Sequence, residues 1–149
     1  MTPIAGRLVI LEGDREQFLE LTTRIHTIEE AYEFMLAYAA QGLSGDAGSQ
    51  SGGQLRALMG RGVKALAGLT AAIDAAGQHS AEFVAFRDVV DDDARRALAA
   101  MRLVLAQPAI SSQVVDNLNA SIHLRALLTD LFLLDEILKP ARIGQSPSI

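Results

Sequence analysis

The sequence contains no cysteine and no tryptophan. Without cysteine, disulfides, thiolate catalysis, thiolate zinc sites and thioether-linked haem are all excluded. Lysine occurs only twice, and the longest basic run is the pair Arg95 and Arg96. Because the formal net charge is -5 as well, nucleic acid is not an expected partner.

Long apolar runs are also missing. The most apolar stretch, residues 124–138, carries one arginine and three acidic residues, so no window of about 18 uncharged apolar residues could span a bilayer. The N-terminal segment contains only the apolar run 8–11, which is too short for the core of a signal peptide. These observations predict a cytoplasmic protein without a membrane span.

Hydrophobic residues make up 50% of the chain, so the composition is that of a folded protein. Its 149 residues fit one domain that is large enough to bury a core. Apolar residues at alternating three- and four-residue spacing predict four helices, bounded by capping residues, glycines and prolines. The predicted helices span about 14–41, 54–76, 80–107 and 112–139.

The lengths of these helices favour an all-α fold, an antiparallel four-helix bundle. Residues 1–13 contain one proline and two glycines, which predicts a short extended N-terminal arm, and residues 140–149 are predicted to be a tail. Residues 42–53 hold five glycines and three serines and form a flexible connection, either a lid or a plain crossover. Three glycines within the second helix, Gly60, Gly62 and Gly68, indicate close approach of a neighbouring helix.

Apolar residues surround the last predicted helix on almost every side between Leu124 and Leu138, which indicates a helix that is covered all round. Helix 1 becomes similarly apolar from Phe34 onward. One bundle core does not use so much apolar surface, so we expect a symmetric homodimer through helix 1 or helix 4. The residues predicted to lie in this interface are Phe34, Tyr38 and Leu131.

A polar seam interrupts the last predicted helix. Asn119, His123 and Asp130 fall within about 40° of each other if the helix is continuous. Buried polar groups need partners, so we expect a carboxylate, a water or an ion to meet them. The predicted partners are Glu29 and Glu33 of helix 1, Asp93 of helix 3, or the same residues in a second copy.

Motifs that carry chemistry are absent from the sequence. No glutamate is followed by histidine three residues later, as a di-metal carboxylate bundle requires, although His26 and Glu29 have the reversed spacing. There is neither a Gly-x-Ser-x-Gly nucleophile motif nor a Walker A loop. The sequence therefore supports no enzyme class and predicts no cofactor.

Two functions remain as hypotheses. The first is a non-catalytic interaction or assembly protein, acting as a homo-oligomer or as an accessory subunit of a larger complex, whose partner is another protein or a second copy. The alternative is a bundle that binds a small ligand or a metal ion in a polar pocket around His123. Metal analysis of the purified protein would discriminate between them.

Overall fold

The computed structural model describes residues 2–143 apart from residue 78, with side chains described over 15–77 and 79–138. Every regular element in that part of the chain is a helix, which confirms the all-α prediction. The described residues form six helices rather than four, so a four-helix bundle is not confirmed. In chain order they are α1 (Thr2–Ala39), α2 (Gln50–Ala67), α3 (Leu69–Ala76), α4 (Ala81–Leu105), α5 (Ser112–Asn119) and α6 (Ile122–Ile143).

The second predicted helix is divided at Gly68 by a residue from α1. The Arg24 guanidinium donates hydrogen bonds to the carbonyls of Lys64 (3.2 Å) and Ala65 (3.3 Å), which lie in the last turn of α2. A Cβ atom at residue 68 would lie only 2.5 Å from Nη1 of the same arginine. Glycine therefore leaves room for a side chain that caps α2 and ends it.

The last predicted helix is divided between α5 and α6. Ser121 lies in the break, and its hydroxyl accepts a hydrogen bond from the backbone N–H of Leu124 (3.4 Å) in the first turn of α6. At the end of α5, the Asn119 side chain is bonded to a carbonyl of α1. A capping hydrogen bond therefore stabilises the start of α6, and a side-chain hydrogen bond to α1 holds the end of α5.

Both predicted terminal segments are wrong where the structure describes them. Residues 2–13 belong to α1 instead of an extended arm, because Pro3 stands in the first turn, where its missing N–H is tolerated. Each glycine in that segment destabilises the helix by only about 1 kcal/mol relative to alanine. Helix α6 continues through Pro140 to Ile143, since a proline near a helix end removes one hydrogen bond without forbidding a last turn. Residues 144–149 of the predicted tail lie outside the described residues.

The core lies between α1, which contacts α2, α3, α5 and α6, and α4, which contacts α2, α3 and α6. Gly62 of α2 marks one close approach, because a Cβ there would lie 3.2 Å from Cβ of Ala31. No atom lies within 4 Å of the equivalent position at Gly60, so that glycine is not explained by close packing. The inner face of α6 supplies buried leucines: Leu124, Leu127, Leu128, Leu131, Leu134 and Leu138.

The expectation that the last helix is covered on every side is wrong for the single chain. Among the large apolar residues of α6, Phe132, Leu133 and Ile137 are about half exposed, although Leu131, next to Phe132 in the sequence, is fully buried. The helix lies against α4 on one side and touches α1 less extensively. It is therefore a peripheral helix with a filled inner face and an open outer face.

Candidate functional site

The predicted polar seam does not exist as one face. Asn119 ends α5 whereas His123 and Asp130 belong to α6, so the break at residues 120–121 changes their relative orientation. His123 is exposed to solvent. The prediction of a buried pocket around this histidine assumed one continuous helix and is wrong for that reason.

Asn119 has a structural role. Its side chain is 6% exposed, and Nδ2 donates a hydrogen bond to the Met35 carbonyl at 3.1 Å. Its Oδ1 atom is buried and accepts no hydrogen bond within the described part of the chain. The contact joins the end of α5 to α1.

We expect His123→Leu to change the free energy of unfolding by no more than about 0.5 kcal/mol, because the imidazole is exposed to solvent. Asn119→Ala is the informative contrast: it leaves the buried Met35 carbonyl without a donor and should cost about 1–3 kcal/mol. Urea unfolding of the two variants measures both effects. A loss of several kcal/mol from His123→Leu would contradict the exposed placement.

Asp130 and Asp93 are the members of the predicted seam that the structure brings together. Their carboxyl groups lie within hydrogen-bonding reach of each other across the contact between α4 and α6. Burial is the main cause that raises the pKa of Asp130 to about 7, and the neighbouring Asp93 raises it further.

Glu29 and Glu33 lie elsewhere, on a face of α1 where Glu29 is half-buried and Glu33 is exposed. Glu29 lies near His26 and Glu33, and near Asp135 of α6. Burial raises the pKa of Glu29, His26 opposes that shift, and the two acidic neighbours add to it. An open groove of about 470 Å³ runs along this face between residues 22 and 33.

No metal centre is present among the side chains that the structure describes, since none of their His, Asp and Glu residues forms a group of three that could hold an ion. His26 and Glu29 are near each other but lack a third ligand of that kind.

The predicted interface residues are in the interior of the single chain. Tyr38 and Leu131 are both 0% exposed, and Phe34 is half-buried against the core. The Tyr38 hydroxyl donates to the Ile110 carbonyl at 2.7 Å, so the connection between α4 and α5 covers this side of α1. The prediction that Tyr38 and Leu131 meet a second copy is wrong, because the chain's own segments already cover them.

A buried ion pair that the sequence did not reveal holds one end of the molecule together. Asp46, 8% exposed, accepts hydrogen bonds from Arg56 Nε (2.5 Å) and from the Ile110 backbone N–H (2.6 Å). The same guanidinium donates to the carbonyls of Leu105 (3.1 Å) and Gln107 (2.9 Å). The hydrogen bond from Arg56 is the main cause that lowers the pKa of Asp46.

Ser112 extends this network to the glycine-rich connection. Its hydroxyl donates to the Tyr38 carbonyl (2.7 Å) and accepts from the Leu43 N–H (2.8 Å), while its own N–H donates to the Leu43 carbonyl (2.8 Å). At Gly52 in α2, a Cβ atom would lie 1.8 Å from the Asp46 carbonyl oxygen, so the backbones approach too closely for a side chain. These contacts favour a plain, anchored connection over a lid.

The comparisons with known proteins add no relative. No protein-family model matches the sequence, no curated protein matches it, and no solved structure matches the chain. Within the described residues, no helix has the length and apolarity needed to cross a bilayer. The side chains on the surface and in the helix contacts are therefore the observations that bear on function.

Proposed function

We propose that the protein is a non-catalytic helical interaction protein that forms a homodimer through the outer face of α6. The observation that supports this is an exposed apolar surface on a helix whose inner face already fills the core. Single exposed apolar residues are common on any protein, but a row along one helix is typical of a contact surface. The large apolar residues of this α6 outer face are Ile122, Phe132, Leu133 and Ile137.

Most of the α6 outer face forms one stripe along the helix, with Thr129 between its two halves and Phe132 about 80° to one side. Ile122, Leu133 and Ile137, together with the small residue Ala126, fall within about 60° of one another around the helix axis. They extend over about four turns, or roughly 22 Å at the rise of an α-helix. A second helix can lie along such a stripe.

The shape of the stripe favours a second copy as the occupant. Its first half is a shallow depression of about 520 Å³, lined by Ile122, Arg125, Ala126 and other residues. Its second half projects, because Leu133 and Ile137 are large and about half exposed. In an antiparallel pair related by a twofold axis, the projecting half of each copy fits the depression of the other.

The charged residues beside the stripe also favour an antiparallel pair. Arg125 lies beside the first half of the stripe, and Glu136 lies beside the second half. An antiparallel pair brings Arg125 of one copy towards Glu136 of the other at both ends of the contact. A parallel pair would instead place like charges together, which opposes association.

The test is the oligomeric state of Leu133→Asp. A carboxylate in the middle of the apolar contact should weaken dimerisation roughly a hundredfold or more, because each copy would bury an unpaired charge. Leu103→Asp is the matched control, since Leu103 is 66% exposed on α4 and lies outside the α6 outer face. Sedimentation velocity at micromolar concentration should show a dimer for the parent and the control, and a folded monomer for Leu133→Asp.

A parent protein that is monomeric at tens of micromolar would overturn the homodimer and favour an accessory subunit that needs a different partner. An unchanged dimer in Leu133→Asp would show that another face is used. A stoichiometric metal in the purified protein would instead favour the ligand-binding alternative.

A further inference from the structure

We propose that Asp93 and Asp130 form a proton-sharing pair that makes the contact between α4 and α6 depend on pH. The two carboxyl groups lie within hydrogen-bonding reach, yet Oδ2 of Asp130 is buried and finds no donor while both groups are ionised. Ionised carboxylates only accept hydrogen bonds. One added proton turns this repulsive contact into a hydrogen bond between the helices.

The surroundings of the pair are apolar. On α6, Asp130 lies one turn from Leu127 and one turn from Leu134, and both leucines are buried. On α4, Asp93 follows the fully buried Val90 by three residues. In such surroundings an ionised carboxylate is poorly solvated and the repulsion between two of them is strong, so loss of the proton is costly.

Among the side chains that the structure describes, the charged groups of the neighbouring helices do not neutralise the pair. On α4, the nearby Arg96 is bonded to Asp92 at 3.2 Å. On α1, Glu29 faces Asp135 of α6 and would add negative charge in any case. On α5, the one acidic residue, Asp116, is exposed. A shared proton is therefore what relieves the repulsion.

The sign of the pH effect follows from these contacts. The folded state raises the pKa of Asp130 to about 7, whereas an aspartate in an unfolded chain titrates near 4. A group whose pKa is raised on folding stabilises the fold fully below its unfolded pKa, and this contribution is lost as pH rises through the folded value. The contact between α4 and α6 should thus be strongest in mild acid and weaken across neutral pH.

Urea unfolding between pH 5 and pH 8 tests the proposal with Asp130→Asn. An amide stays neutral and can donate to Asp93, so this variant should lose the part of the pH dependence that comes from the pair. In the parent, that part should lower the folding equilibrium constant roughly tenfold or more over this range. Asp116→Asn, at the exposed aspartate of α5, is the control and should keep the pH dependence of the parent. If the free energy of unfolding changes with pH equally in the parent and in Asp130→Asn, the proposal is overturned.

A second measurement follows the carboxyl carbons of the full chain by NMR. One aspartate carboxyl should titrate near pH 7 in the parent and in Asp116→Asn. In Asp93→Asn its midpoint should fall but remain above the ordinary range, because burial persists when the neighbouring charge is removed. If every aspartate carboxyl of the parent titrates below pH 5, the pair holds no shared proton and the inference is wrong.

Discussion

Replacing Asp46 with alanine should destabilise the protein by about 3 kcal/mol, near the lower end of the range for breaking a buried ion pair, because Arg56 is partly exposed. The substitution leaves the guanidinium held by backbone carbonyls without its carboxylate. It also leaves the buried N–H of Ile110 without an acceptor. Chemical unfolding of the variant measures the loss.

Asp92→Ala is the matched control for that experiment. Asp92 also pairs with an arginine, but both partners are more than half exposed and one helical turn apart. Exposed pairs of this kind contribute about 0.3–0.5 kcal/mol. If Asp46→Ala and Asp92→Ala lower the free energy of unfolding by similar amounts, the network around Asp46 does not hold this end of the molecule together.

Leu131→Ala should cost about 2–5 kcal/mol, because the side chain is fully buried and its removal leaves a cavity between α6 and the core. Leu103→Ala removes the same atoms from a leucine that is 66% exposed and should change stability by no more than about 0.5 kcal/mol. Thermal unfolding of both variants at low protein concentration separates the two positions. If the two variants have the same melting temperature, the inner face of α6 is not part of the core.

Asp46 and Asp130 act on stability in opposite directions as pH changes. The pKa of Asp46 is lowered on folding, so its contribution is present above the unfolded value near 4 and is lost as pH falls through the folded value. Asp130 contributes below about 7 and loses its effect above that. Together these two residues favour greatest stability near pH 4, because the contribution of Asp46 is lost below that value and the contribution of Asp130 declines between about pH 4 and pH 7.

Helix starts and inner faces could be predicted from neighbouring residues. Ser80 begins α4 as expected, because its hydroxyl accepts a hydrogen bond from the Phe83 N–H three residues later. Leu21, Ile25 and Ile28 follow one another at four- and three-residue spacing, the helical pattern of a buried face, and all three are buried on α1. Capping and helical periodicity act over a few residues, so they are visible in the order of the amino acids.

The candidate site was only partly predictable. Asp93 was one of the carboxylates expected near Asp130, and the structure places the two together. His123 was expected in the same seam and is exposed, since the helix that would have carried it there is broken. Nothing in the spacing of Asp46 and Arg56 indicated that they pair, because one lies in a loop and the other within a helix.

The sequence by itself determined the all-α class, the starts of α4 and α5 and the buried face of α1. Only the tertiary structure decided where helices break and which polar groups meet: Arg24 ends α2 from another helix, and Asp93 and Asp130 are 37 positions apart. Local rules concern groups within one or two turns, where covalent geometry sets the distances. Contacts between distant segments depend on how whole helices pack, and that packing places acidic groups together and leaves one face of α6 open.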